Sequence, residues 1–540
     1  MYILRDYHEG INRFICSRTR PAFVKAWVLV VATLALVGVV FLFMGAPPIN
    51  GIIADTSIFL DGSWRILNGQ VPHRDFYTIF GDLPYYVTFL GMKLGRPGVS
   101  AIACGNIFVM TAAGLVAMFI LRRRTSAFYA CVFSLFIALM AITPRPLGDP
   151  HDYTGYAELY NRYGEASLAL LGAILFLSPE PALKKSWADW LEAGFAGFCL
   201  PLLLFCKLNY FAVGIGFFVM ACLRRRFPVQ QTLFTLLSAA AFLALALFLT
   251  GIPVSAMLGD YRVMMAAQSG GERFLLLALQ IVKGAFFIPI LCLLALEISR
   301  KQDGQHSALS QFILFAFLYC CAVMLVASNG QQHELPLLAL AALYGAEIIR
   351  RQTRLLTEDG LFIVVRNLLA ALIFLFFVLP TLVPDFKTIR YSVRIARDGT
   401  GVTPETLRST RLNDFRIEIL GSRKGEMKEY MATVNEGMEL LRRHLDPQTR
   451  LAVFLFSDPY QIALGLPPAG GLICLDSYEL NQRSHPPLKK MLGNATCILT
   501  VRGCEEIKAA YGAEWDALHL QVIEETGNFT LLKVPDAPIH

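Results

Sequence analysis

Apolar runs close to the length of a bilayer crossing recur through the first 384 residues, and they decide what this chain can fold into. A membrane-spanning helix needs about 20 mostly apolar residues. We read crossings at 26–46, 83–121, 126–143, 165–178, 188–206, 209–222, 230–250, 273–298, 308–327, 335–349 and 361–384, eleven in all. The 83–121 run is interrupted at Arg96-Pro97-Gly98, the pattern of a re-entrant piece followed by a span, and 165–178 and 335–349 are short. With 55% hydrophobic and only 16% charged residues, the chain is too apolar for a soluble protein of 540 residues. The fold expected is a polytopic α-helical membrane protein.

Charge sets the orientation. Basic residues cluster at alternate loop ends: Arg18, Arg20 and Lys25; Arg122 to Arg124; Lys184 and Lys185; Arg224 to Arg226; Arg300 and Lys301; Arg350, Arg351 and Arg354. The positive-inside rule places these in the cytoplasm. An odd number of spans then puts the N-terminus inside and everything after 384 outside. The net charge of +7 follows from this topology and gives no sign of nucleic-acid binding. The first apolar run has basic residues ahead of it and no small-residue cleavage site, so it reads as a signal anchor.

Residues 1–384 read as the transmembrane domain, 385–425 as a connector and 426–540 as a small α/β domain outside the cytoplasm. In the last, 427–445 has the pattern of an amphipathic helix, 451–456, 497–501 and 520–525 read as strands, and 504–512 as a helix. Most of the twelve cysteines lie in spans, where they are small core residues. Cys474, Cys497 and Cys504 lie in the exported region, where one disulfide can form among them.

The polar residues share one side of this topology. Behind the first span, 55–86 carries Asp55, Asp61, His73, Arg74, Asp75 and Asp82. Later loops on the same side add His151, Asp152, Glu158, Asn161, Arg162, Lys207, Asn209, Asp260, Arg262, Asn329, His333 and Glu334. The inner loops hold little besides Lys and Arg, so a polar cavity should open outward. Asp61 and Asp82 read as helix caps or turns. His151, Asp152 and His333 are the donors from which a divalent-metal site would be drawn, but their spacing is not that of a metal motif, so the metal and cofactor stay unassigned. No phosphate-gripping glycine loop is present, which argues against an ATP-driven pump.

The run Asp61–Tyr86 resembles the first external loop of bacterial GT-C glycosyltransferases. There an acid precedes a Gly, Pro, Arg-Asp-Phe, Gly pattern, met here by Gly69, Pro72, His73, Arg74, Asp75, Phe76, Gly81, Asp82 and Leu83. Tyr160 to Gly164 and the run 330–338 are similar to further segments of these proteins. The resemblance lies with an uncharacterised bacterial branch, beside the protein O-mannosyltransferase and aminoarabinose transferase groups. It implies transfer of a sugar from a polyprenyl-phosphate carrier to an envelope glycan, lipid or protein on the outer face of the cytoplasmic (inner) membrane. By that likeness Asp55 acts as base or orients the acceptor. Many members carry a second adjacent acid; here Thr56 follows, so the second acid is missing or is supplied by Asp75.

The chemistry is consistent with these residues. Displacing a phosphate from a sugar needs a base at the acceptor hydroxyl and positive charge at the leaving group. Arg74, Arg162, Lys207, Arg262 and the intramembrane Lys283 are the candidate phosphate ligands, with His151, Asp152 and His333 as further substrate contacts. A transporter or flippase of a lipid-linked or anionic solute is the alternative. The two halves show no repeat of the kind many transporters have.

Overall fold

The computed structural model describes residues 15–78, 81–179, 187–224, 228–267, 275, 278–279, 282, 287–298, 308–329, 334–353, 360–398, 407–418, 424–472 and 486–535. Among these, six helices are long and apolar enough to cross a membrane: Arg20–Met44, Ser100–Leu121, Trp187–Cys206, Val229–Thr250, Leu309–Ser328 and Ile363–Arg397. Two shorter apolar helices, Ala127–Ile142 and Leu208–Leu223, pack among them. The chain is a polytopic helical membrane protein. Its outer helices expose apolar side chains, as a lipid-facing surface requires: on Val229–Thr250 only Thr235 is buried.

Local signals set the first span. Thr19 caps it by accepting from the Ala22 N–H at 3.4 Å, proline follows at the first turn, and Gly45 ends it at φ 70°. The 83–121 run forms two helices, Leu83–Leu94 and Ser100–Leu121. At about 1.5 Å per residue the first is too short to cross alone. It lies hard against the second: a Cβ at Gly91 would fall 1.9 Å from the Ala101 carbonyl oxygen, and one at Gly105 would fall 2.2 Å from that of Val87. Glycine permits this backbone contact. The last span does not stop at 384, where the connector was expected to begin. Its helix, Gly360–Asp398, continues with Pro380 and Pro384 inside it.

The C-terminal residues build a four-stranded sheet in the order β2-β4-β6-β5 from β2 (Leu451–Phe454), β4 (Cys497–Val501), β5 (Gln521–Glu525) and β6 (Phe529–Lys533). β2 and β4 run parallel; β6 lies antiparallel to both β4 and β5. The helix Lys424–His444 covers this sheet with an apolar face of Met427, Met431, Val434, Met438 and Leu441. Cys497 and Cys504 are buried free thiols, not disulfide partners of one another; Cys474 lies outside the described residues.

This sheet does not stand apart. One apolar core joins Ile58, Trp64 and Tyr85 of the first loop to Phe415, Met438, Val453 and Leu531. A two-stranded parallel pair ties β1 (Phe76–Tyr77) to β3 (Gly471–Leu472). The Trp64 indole N–H donates to the Leu466 carbonyl at 3.0 Å, and Gln70 donates to that of Pro468 at 2.9 Å. The first loop is thus built as much from the end of the chain as from its own neighbours.

Candidate active site

Asp55 sits in the first turn of the helix Ile53–Leu67, where the helix dipole favours a carboxylate. The loop before it is stitched to the loop 152–154. Asn50 donates to the Asp152 carbonyl at 2.6 Å and accepts from the Thr154 N–H at 2.7 Å, and the Gly51 N–H donates to the Thr154 carbonyl at 3.1 Å. This stitching brings Glu158 beside Asp55. Glu158 stands in the left-handed region at φ 55° and opens the helix Leu159–Phe176. Its backbone N–H is directed at the Asp55 carboxylate, and its own Oε2 accepts from Asn161 Nδ2 at 3.1 Å.

Lys207 lies in the one-residue break between the helices Trp187–Cys206 and Leu208–Leu223. Its ammonium donates to Asn329 Oδ1 at 2.7 Å and stands 4.7 Å from the centroid of the Tyr160 ring. Asn329 is itself held, accepting from Asn209 Nδ2 at 3.0 Å and donating to the Tyr210 hydroxyl at 2.9 Å. Tyr160 packs edge-on against Phe59, on the same helix as Asp55. Two acids and one base therefore converge from three separate segments.

Electrostatics separate Asp55 and Lys207 from ordinary surface residues. Burial, reinforced by the charge of Glu158, raises the Asp55 carboxyl to about 7, although the Glu158 N–H opposes the shift. Burial lowers the Lys207 ammonium to about 8 against the pull of Glu158. Both side chains are half-buried. At neutral pH Asp55 is poised between acid and base, and Lys207 remains mostly charged.

The other expected residues lie elsewhere. Asp75 is turned toward Arg74, whose Nη2 lies 2.8 Å from Asp75 Oδ2, and accepts from the Val71 N–H at 2.7 Å. It stabilises the turn that leads into β1, and the acid beside Asp55 is Glu158. Arg162 is buried, not open to a ligand. It donates to the carbonyls of Arg145 and Met140 and to Asp385, with Nη2 to Oδ1 at 2.8 Å. Arg145 joins the same network, bridging Asp385 at 3.0 Å and Glu334 at 2.7 Å. Arg262 is exposed on the helix Val254–Ala267, and His151 and Asp152 are exposed in their loop. Lys283 and His333 lie outside the described residues. Among the described residues, no group of three or more His, Cys, Asp and Glu is placed to hold a metal ion.

His73 belongs to a second cluster. It is buried at φ 66° between two carboxylates, with Nδ1 2.8 Å from Asp260 Oδ2 and Nε2 3.2 Å from Asp82 Oδ2. Asp260 also pairs with Lys490, which stands 5.5 Å from the Tyr77 ring centroid. Burial alone would discharge the imidazole, but the two carboxylates outweigh it and raise His73 to about 9. The cluster is ionic and neutral overall: His73 and Lys490 against Asp82 and Asp260.

No family model matches the chain, and no curated protein matches it. Among solved structures it is similar to ArnT from Cupriavidus metallidurans bound to undecaprenyl phosphate, at 12% identity and TM-score 0.48, covering 94% of this chain and 98% of that one. The apo structure of the same protein gives TM-score 0.49 at 12% identity over the same shares. The Archaeoglobus fulgidus oligosaccharyltransferase, in complex with Zn and sulfate, gives TM-score 0.34 at 12% identity, covering 88% of this chain and 68% of that one.

Proposed function

We propose that this protein is a GT-C-type membrane glycosyltransferase that moves a sugar from a polyprenyl-phosphate carrier to an envelope acceptor. The observation that carries the reading is the juxtaposition of Asp55, Glu158 and Lys207. In this scheme the acceptor hydroxyl gives its proton to Asp55 as its oxygen bonds to the anomeric carbon. The bond from that carbon to the carrier phosphate breaks, and its electron pair leaves on the phosphate oxygen. Lys207 meets the growing negative charge there. Attack opposite the leaving group inverts the anomeric centre. Glu158 keeps Asp55 basic by its charge and holds it in place through its backbone N–H.

The topology belongs to the same proposal: eleven crossings, a cytoplasmic N-terminus, and residues 426–540 outside the cytoplasm. Their contact with the first loop supports a role in meeting the acceptor. The deciding experiment uses full-length protein in liposomes with polyprenyl-phosphate sugars and an envelope extract, read by mass spectrometry. Transfer by the wild type and its loss in Asp55→Asn are expected. Movement of the lipid-linked sugar across the bilayer without any new glycosidic bond would replace this reading with a flippase.

A further inference from the structure

Below the site, the helix Leu159–Phe176 carries a second carboxyl group with no role in the scheme above. Glu165 is only 2% exposed and sits in the apolar core, next to Ala166 and Leu168. Its Oε2 has no hydrogen-bond partner. One turn toward the site, Asn161 is fully buried, and its Oδ1 also lacks a donor. Residues four apart are neighbours on a helix face. Asn161 uses its amide N–H on Glu158, the acid that stands against Asp55. The ladder Glu165, Asn161, Glu158, Asp55 therefore has one missing link, an unpaired acceptor on Asn161 below which lies an unpaired carboxyl oxygen.

An ionised carboxylate cannot supply that link, because it only accepts. A protonated one can, since its O–H donates. Burying an unpaired carboxylate is also far more costly than burying a neutral acid. The titratable group beside Glu165 on the adjoining helix is Tyr210, with Cys206 beyond it; neither is a cation. The fit between helices is tight here: a Cβ at Gly164 would fall 2.5 Å from the Tyr210 ring. We infer that Glu165 is held as a neutral carboxylic acid that donates its O–H to Asn161 Oδ1, and so acts as a positioning residue for the Glu158–Asp55 pair.

This inference rests on the proposed function for its effect on rate, but not for the protonation state. The test uses full-length protein in nanodiscs with three chains: wild type, Glu165→Gln and Glu165→Leu. Infrared difference spectra of wild type against Glu165→Gln at neutral pH should show the C=O stretch of a protonated acid. An ionised-carboxylate band in its place overturns the inference whether or not the protein transfers sugar. In the transfer assay, Gln can still donate to Asn161, so Glu165→Gln should stay within about threefold of wild type, while Glu165→Leu falls about tenfold. In Glu165→Leu the acid limb of the pH profile should also move down, as Glu158 loosens from Asp55. Equal loss in Gln and Leu, or none in either, overturns the positioning role. An inactive wild type overturns the parent reading instead, and the infrared result still decides the protonation state.

Discussion

Two charged clusters grow from the same first loop, and they are built to opposite ends. Around His73, each charge faces an opposite one: Asp82 and Asp260 flank the buried imidazole, and Lys490 pairs with Asp260 at the partly exposed edge. Around Asp55, two acids sit side by side and the cation Lys207 is held by an asparagine and an aromatic face instead of a carboxylate. The first arrangement satisfies charge and joins distant parts of the chain. The second leaves a carboxylate beside another acid and, among the described residues, an ammonium with no ion-pair partner within 4 Å. A count of acids and bases in the loop would not tell the two apart; what separates them is whether each charge already has its partner.

The sharpest way to break this comparison is at Asp55. Asp55→Asn should lower the transfer rate by roughly 10²- to 10⁴-fold, the usual weight of a positioned base, with little change in thermal midpoint by differential scanning fluorimetry. Asp260→Ala should do the reverse. Removing one partner from a buried ion cluster costs about 3–5 kcal/mol, so the midpoint should fall steeply and residues 407–535 should become open to limited proteolysis. If Asp260→Ala kept full stability but lost transfer, the His73 cluster would be catalytic and the contrast would fail. Lys207→Met comes next, with a loss in kcat/KM of about 10- to 150-fold, the worth of a hydrogen bond to a charged group.

Acidity separates the clusters again. Transfer should rise with pH through about 7 as Asp55 ionises, and fall above about 8 as Lys207 loses its proton. Stability should follow His73 instead. Its value is raised from 6.5 to about 9 in the fold, so its contribution is complete below 6.5 and is lost as pH rises through about 9. A thermal midpoint that climbed across that window would remove the ionic description of the cluster. The smallest effect belongs to Asp75→Asn. Its pair with Arg74 is substantially exposed, and exposed pairs contribute about 0–1 kcal/mol, so stability and rate should barely move.

Some of this was legible in the sequence. Apolar length marked the helices and put Asp55 directly behind the first apolar run. The strands of the C-terminal sheet followed from their short apolar runs, except β6, whose FTLLK follows a Gly527-Asn528 turn that signals a hairpin. Glu158 was harder. Its place beside Asp55 comes from hydrogen bonds between the loops 49–51 and 152–154, which have no periodic signature. The one hint was an acid just ahead of an apolar helix on the same side as Asp55. Arg162 misled for the related reason that its partner, Asp385, lies far along the chain on a helix expected to have ended by then. Spacing reports neighbours along one element, whereas both of these pairings cross from one element to another.

The shared core between the first loop and the final sheet has a consequence for the order of synthesis. Phe76 and Tyr77 leave the ribosome long before Gly471 and Leu472, their strand partners. At about 5–20 residues per second, that interval lasts roughly 20–80 s. Through it, the helix Ile53–Leu67 has no cover for Trp64 and no acceptor on Leu466 for its indole N–H. The helix that carries Asp55 is therefore among the first parts of the chain to be made and among the last to be finished.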